Sequence, residues 1–370
     1  MVDRITAMKN VRRMVVKIGT AALSTADGQL DVNRVASIAG QVNSLVCSGY
    51  EVVIVTSGAI GAGMAELELA NRPTALPQLQ AAASVGQSRL IEAYNQSFRK
   101  HGHHAAQVLL TRDDFNNRTR YLNVRNAINA MFAMKAIPVI NENDAVSIDE
   151  IKFGDNDELS AHVALLLGAV LLVLLSVVDG LLDGEHRVIP LVKRIDESIS
   201  RLDRGTKTAG GTGGMTTKLN AASLATSAGI ATVVASGVKP DVLTQILAGE
   251  GVGTFFAPNS RKAPSRKCWF ASRITRGTIT VDEGARRALV TLGKSLLPSG
   301  VISVTGKFVK GDTVKIAGPD GRVFAQGLTN LSSVDLAAVR GLRTQNVRKI
   351  LGPTAYEEAV HRDNLLLEEK

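Results

Sequence analysis

The stretch Val11-Arg12-Arg13-Met14-Val15-Val16-Lys17-Ile18, the helical pattern at residues 32–48 and the run Glu51-Val52-Val53-Ile54-Val55-Thr56 together decide the fold class. Between the two apolar runs, Val35, Ile38, Ala39, Val42, Leu45 and Val46 recur at three- and four-residue spacing. That spacing paints one face of a helix, which Gly49 ends. The flanking runs lack polar alternation, as expected for parallel strands covered on both faces. Working outward, the same unit repeats. Helical patterns cover residues 78–99, 121–135, 157–167 and 215–228, the last two stopped by Gly168 and Gly229. Strand patterns cover 105–110, 137–140, 170–177 and 230–235. This alternation predicts an α/β protein, a three-layer α/β/α sandwich; it does not give the strand order.

The chain has 370 residues, more than one hydrophobic core usually serves, so a large domain and a smaller one are expected. Apolar residues make up 45% and charged residues 21%, which excludes a disordered chain or a charged coiled coil. Cys47 and Cys268 are too few and too far apart for a disulfide scaffold, and the six histidines show no metal-ligand spacing. The longest apolar run, 163–178, is 16 residues and broken by Gly168, short of the ~20 a membrane span needs. With a polar stretch before the first strand, a cytoplasmic protein without membrane contact is expected.

The formal charge of +9 is placed unevenly. Residues 1–260 hold 24 basic and 24 acidic side chains, whereas residues 261–370 hold 19 and 10. The composition changes at Pro258-Asn259-Ser260-Arg261-Lys262-Ala263-Pro264, which reads as the start of a linker. The expected division is a first domain over 1–260, a linker over 261–275, a small domain over 276–353 and a final helix over 354–370. For that helix, Thr354 and Glu357 would form a capping box, and Glu358 and Arg362 an i,i+4 pair.

In open α/β sheets a ligand sits beyond the carboxyl ends of the strands. There the sequence collects Lys17-Ile18-Gly19-Thr20, Thr56-Ser57-Gly58-Ala59, Asn141-Glu142-Asn143-Asp144 and Ser176-Val177-Val178-Asp179-Gly180. Phe153-Gly154-Asp155-Asn156-Asp157 stands just ahead of a helix. The sharpest element is Gly210-Gly211-Thr212-Gly213-Gly214-Met215-Thr216-Thr217-Lys218, a glycine-rich loop running into a helix. Converging backbone N–H groups, hydroxyls and a lysine there make a nest for phosphate, though the Walker A order is absent. Lys17 ends an otherwise apolar strand and is a second cation for the same anion. Two lysines, carboxylates and a phosphate nest point to phosphoryl transfer, in which positioning and charge neutralisation do most of the catalysis.

Five of these motifs, at residues 15–20, 56–59, 141–144, 153–157 and 211–218, resemble in this order the amino acid kinase family, in its glutamate-phosphorylating branch, over residues 10–260. The resemblance implies transfer of a phosphoryl group from ATP, with Mg²⁺, to the side-chain carboxylate of L-glutamate, at the entry to proline synthesis, with proline as feedback inhibitor. It assigns Lys17 and Lys218 to the migrating phosphoryl group and Asp157 to holding those lysines. Ser57, Asp144 and Asn156, with Asn141 and Asp155 of the same clusters, would bind glutamate, Asp144 facing its ammonium group. Lys17, Ser176, Val177, Thr212, Gly213, Gly214, Met215, Thr216, Thr217 and Lys218 would contact ATP; no protein residue is assigned to a metal. One departure stands out: the family pattern has Thr-Asp where this chain has Ser176-Val177, and the segment after it is shortened. A carboxylate near the nucleotide is thereby lost, and nucleotide binding is expected to differ.

Residues 276–314, from Arg276-Gly277-Thr278-Ile279-Thr280-Val281-Asp282-Glu283-Gly284-Ala285 onward, resemble a PUA domain, a small mainly-β unit. Short strands alternating with Gly-Asp and Pro-Asp-Gly turns agree with that. PUA domains in RNA-modifying enzymes bind RNA. The segment shows no aromatic–basic interleaving of the stacking kind, which favours a structural or regulatory role. The resemblance also implies a dimer or tetramer. Two rival readings remain: a kinase of the same fold acting on another small acceptor, and an RNA-binding protein with an inactive kinase domain.

Overall fold

The computed structural model describes residues 3–25, 28–147, 156–202, 214–259, 275–352 and 356–367. The chain divides into two units, Met1–Cys268 and Trp269–Lys370.

The first unit runs α1 (Arg4–Lys9), β1 (Arg13–Ile18), α2 (Thr20–Leu23), α3 (Val32–Cys47), β2 (Glu51–Val55), α4 (Ala59–Glu66), α5 (Leu76–Arg99), β3 (His104–Leu110), α6 (Arg112–Asn116), α7 (Arg118–Ala133) and β4 (Ala136–Glu142). It continues with α8 (Asn156–Leu167), β5 (Leu171–Ser176), β6 (Leu191–Val192), α9 (Glu197–Arg201), α10 (Met215–Ser227), β7 (Ala231–Ser236), α11 (Val242–Leu247) and β8 (Thr254–Phe256). The strands form one sheet in the order β3-β4-β2-β1-β5-β7-β8-β6. Neighbours from β3 to β7 are parallel, and β8 turns antiparallel to β7. From β1 the chain builds outward through β2 on one side and later through β5 on the other. The gap beyond the carboxyl ends of β1 and β5 is therefore the topological switch point, where such sheets bind ligands.

The period of two sorts β1 between the two faces of the sheet. Met14, Val16 and Ile18 join a core with Ile38 and Val42 of α3, Leu90 and Tyr94 of α5, and Leu243 and Ile246 of α11. Val15 and Lys17 point the other way, toward α8, which packs on β1, β2, β4 and β5, and α10, which packs on α8 and β7. The three layers expected from the sequence are present, and each expected strand and helix of this unit has a counterpart.

On the first face, α4 and α5 cross at glycine. A Cβ on Gly63 would lie 1.7 Å from the Ala82 carbonyl oxygen, and one on Gly86 would lie 1.8 Å from that of Ala59. The helices touch backbone to backbone. Gly58, at φ +100° ahead of α4, makes the turn out of β2 that a side chain would strain.

The second unit contains β9 (Thr275–Val281), α12 (Glu283–Val290), β10 (Val301–Gly306), β11 (Thr313–Ala317), β12 (Val323–Thr329), α13 (Ser333–Val339), α14 (Thr344–Leu351) and β13 (Val360–Leu367). Its sheet order is β10-β9-β11-β12-β13, with only β9–β11 parallel. Ile279, Val281, Val314, Ile316, Ala325, Leu336, Val347 and Val360 form its core. The expected Pro-Asp-Gly turn joins β11 to β12, closed by the Gly321 N–H donating to the Gly318 carbonyl at 2.9 Å.

The tail corrects the sequence reading. Residues 360–367 form a strand, not a helix, and pair antiparallel with β12, Leu366 opposite Gln326 and Leu367 opposite Ala325. Without β13, β12 would be an open edge with unpaired backbone groups. Pairing satisfies them while Val360 becomes fully buried. Glu357 pairs with Arg348 rather than forming a cap, and Glu358 and Arg362 no longer share a helix face. Thr354 and nearly all of the expected linker 261–275 lie outside the described residues. No described helix is long and apolar enough to cross a membrane.

Candidate active site

The residues at the switch point meet around one carboxylate. Lys17 is directed between the sheet and α8 by strand alternation and is 2% exposed. Asp157 is the second residue of α8 and fully buried. A helix start favours negative charge, and α8 presents this one to the strand ends. Lys17 Nζ lies 2.6 Å from Asp157 Oδ1, and Lys218 Nζ of α10 lies 3.1 Å from Oδ2. Thr217 Oγ donates to the same Oδ2 at 2.8 Å. The ammonium of Lys218 also reaches the Gly214 carbonyl at 3.4 Å, which ties it to the start of α10. Burial pushes the Asp157 carboxyl up. Lys17, then Lys218, then hydrogen bonds from Lys17 and Thr217 outweigh it and hold the group below its usual range.

Among the described residues, two buried ammonium groups face this one carboxylate, an arrangement suited to an incoming anion. The amino end of α10, where Thr216 is exposed, faces the same region with the N–H groups of its first turn.

A second cluster adjoins the first. Asn156, at the start of α8, donates through Nδ2 to the Thr56 carbonyl at 2.7 Å, to Ser57 Oγ at 2.9 Å and to Asn141 Oδ1 at 2.9 Å. One amide thus binds together the ends of β2 and β4. Asp144, half-buried, lies in the turn after β4, where the Ser147 N–H donates to the Asn143 carbonyl at 3.1 Å. Ser176 ends β5, and its carbonyl accepts from the Gly237 N–H at 2.7 Å; Val177 follows it, 40% exposed. Two residues on, Asp179 pairs with Lys239 at 2.8 Å.

The structure therefore brings Lys17, Asp157, Thr217 and Lys218 into one group, and Ser57, Asn141 and Asn156 into another. Met215 is buried at the start of α10, after Gly214. Asp155, Thr212 and Gly213 lie outside the described residues. Thr217, given to the nucleotide by sequence reading, donates its hydroxyl to Asp157. It also missed Gln87 of α5, whose Oε1 accepts from Asn141 Nδ2 at 2.8 Å. The available signal was a pair of glutamines, Gln80 and Gln87, seven residues apart on the helix face that buries Ala83, Leu90 and Tyr94. A further missed group is Arg112–Glu158 at 2.5 Å, with buried His162 3.5 Å from the same Glu158 oxygen.

Comparison with known proteins gives the family. The profile of the amino acid kinase family matches residues 12–236, and that of the PUA domain matches 277–351. A protein of Syntrophotalea carbinolica named glutamate 5-kinase is 43% identical over 367 residues, covering 97% of this chain and 98% of its own. Proteins of the same name from Geobacter sulfurreducens and Caldanaerobacter subterraneus are each 44% identical, with the same two coverages. Lys17, Asp157 and Lys218 all fall inside the matched 12–236 segment, and with near-full-length relatives at this level of identity the chain belongs to the amino acid kinase family.

Proposed function

We propose that this chain is a glutamate 5-kinase, transferring the γ-phosphoryl group of ATP to the side-chain carboxylate of L-glutamate. A carboxylate oxygen attacks the γ-phosphorus as the bond to the β,γ-bridging oxygen breaks. ADP leaves with the electron pair, and L-glutamyl 5-phosphate is formed, at the first step of proline synthesis. The acceptor is already an anion, so no base is required. The observation that carries this reading is the meeting of Lys17 and Lys218 on Asp157.

In this reading the two ammonium groups flank the phosphoryl group in flight, and Asp157 keeps them there before charge arrives. Ser57, Asn156 and Asp144 hold glutamate, Asp144 against its ammonium group. Asn141 acts through Asn156, and Asp155 supports the same loop. Ser176, Val177 and residues 212–218 take the nucleotide. Mg²⁺ would enter on the nucleotide and neutralise charge on its phosphates. Asp157, already paired to two lysines and Thr217, is not among its ligands. Proline inhibition, a homo-oligomer and a cytoplasmic setting belong to the same reading.

The test is ADP release with L-glutamate, L-aspartate and N-acetyl-L-glutamate as acceptors, each with and without proline. Release with L-glutamate alone, lowered by proline, is the expected result. Turnover with another acceptor and none with L-glutamate would refute the assignment.

A further inference from the structure

The amide groups at the second cluster have orientations fixed by backbone atoms at both ends. Asn156 must present its nitrogen to Thr56, because a carbonyl oxygen can only accept. Asn141 must present its oxygen to the Glu142 N–H, which donates to it at 2.9 Å. The Asn141 nitrogen therefore faces Gln87, and Gln87 must answer with its oxygen. Three side-chain amides stand in a chain with no freedom to flip. At each end one atom is left over. Among the described residues, Asn156 Oδ1 is a buried acceptor without a partner, and Gln87 Nε2 is a buried donor without a partner. Gln87 itself is 8% exposed.

Unpaired buried polar atoms are rare and expensive, and they collect where a ligand completes them. Here the two are opposite in kind. An amino acid matches both: its ammonium donates where Asn156 accepts, and its carboxylate accepts where Gln87 donates. We propose that Gln87 is a specificity-determining residue, its Nε2–H donating to a carboxylate oxygen of the acceptor amino acid. This rests on the reading of the chain as an amino acid kinase with L-glutamate as acceptor. Gln87 belongs to helix α5 rather than to the strand-end segments that bear the other candidate groups, and reaches them through Asn141. Its second duty, through Oε1, is to keep Asn141 and hence Asn156 aligned.

Two substitutions separate those duties. In Gln87→Glu one oxygen still accepts from Asn141 Nδ2, so the amide chain is kept, but the donor becomes an anion facing the carboxylate. Gln87→Met keeps the volume and removes both bonds. Binding of L-glutamate by calorimetry, and KM for L-glutamate and ATP, are measured on the full-length chain for wild type and both variants. Both are expected to weaken L-glutamate binding about ten- to a hundredfold, with the KM for ATP within about twofold of wild type. Protonation of the introduced carboxyl restores an O–H donor. The glutamate KM of Gln87→Glu, relative to wild type, should therefore fall as the pH is lowered from 7 toward 5, approaching the usual carboxyl range, whereas that of Gln87→Met should stay level. Glutamate binding within twofold of wild type in both variants would overturn the proposal, as would a loss confined to kcat or to ATP. A wild-type chain that does not bind L-glutamate would overturn the proposed function and this inference with it. Normal wild-type binding beside unaffected variants would overturn the inference alone.

Discussion

Asp157 is the residue on which the site's electrostatics turn. Lys218→Ala removes one of two cations and leaves Lys17 still paired to the carboxylate. The fold should survive, with kcat for ADP release down by about a hundred- to a thousandfold. Asp157→Asn does the reverse, taking the shared carboxylate away from two buried ammonium groups. It should cost about 3 kcal/mol or more of stability in urea denaturation, besides activity. One step along α8, His162 gives a pH signature. Burial pushes its pKa below the ordinary 6.5, and Arg112 adds to this, although Glu158 pulls the other way. The neutral ring is therefore preferred in the folded chain. Its contribution to stability is complete above about pH 6.5 and is lost as the pH falls through the lowered folded value, at up to about 1.4 kcal/mol per pH unit. The melting temperature of His162→Gln should fall less steeply than that of wild type between pH 7 and pH 5.

At the scale of the element, the crossing of α4 and α5 ties the fold to the cluster proposed to hold the acceptor. The helix that follows Ser57 and the helix that carries Gln87 touch where neither can hold a Cβ. Gly86→Ala must push them apart, because the obstacle is the Ala59 backbone rather than a movable side chain. About 2 kcal/mol or more of stability should be lost on chemical denaturation, with a raised KM for L-glutamate and an unchanged KM for ATP. This crossing also shows what a sequence conceals. The strands β1, β2, β4, β5 and β7 were readable because burial on both faces writes itself as an unbroken run of Val, Leu and Ile. The strand-end polar clusters were readable because parallel topology forces function there. Helix α4, Ala-Ile-Gly-Ala-Gly-Met-Ala-Glu, carries two glycines that disfavour a helix in isolation, and only its partner explains Gly63. The Gln87–Asn141–Asn156 chain was equally hidden, since its members are 54 and 15 residues apart and meet only in the folded sheet.

At the scale of the whole molecule, the tail teaches the same lesson from the other side. Residues 354–370 offer capping residues and a charge pair in helical spacing, and local preference alone points to a helix. The open edge of β12, assembled from sequence far upstream, decides otherwise. A chain ending at residue 355 should lose the second unit's cooperative melting and aggregate through β12, while the first unit keeps its own transition in calorimetry.

Strand β13 also leaves the ribosome after every other described strand. The second sheet cannot be completed before it emerges, whereas every described strand of the kinase unit has by then been translated. A chain terminated before residue 360 would thus pair a translated kinase unit with an exposed β-edge, a mark that separates such copies from those that carry β13.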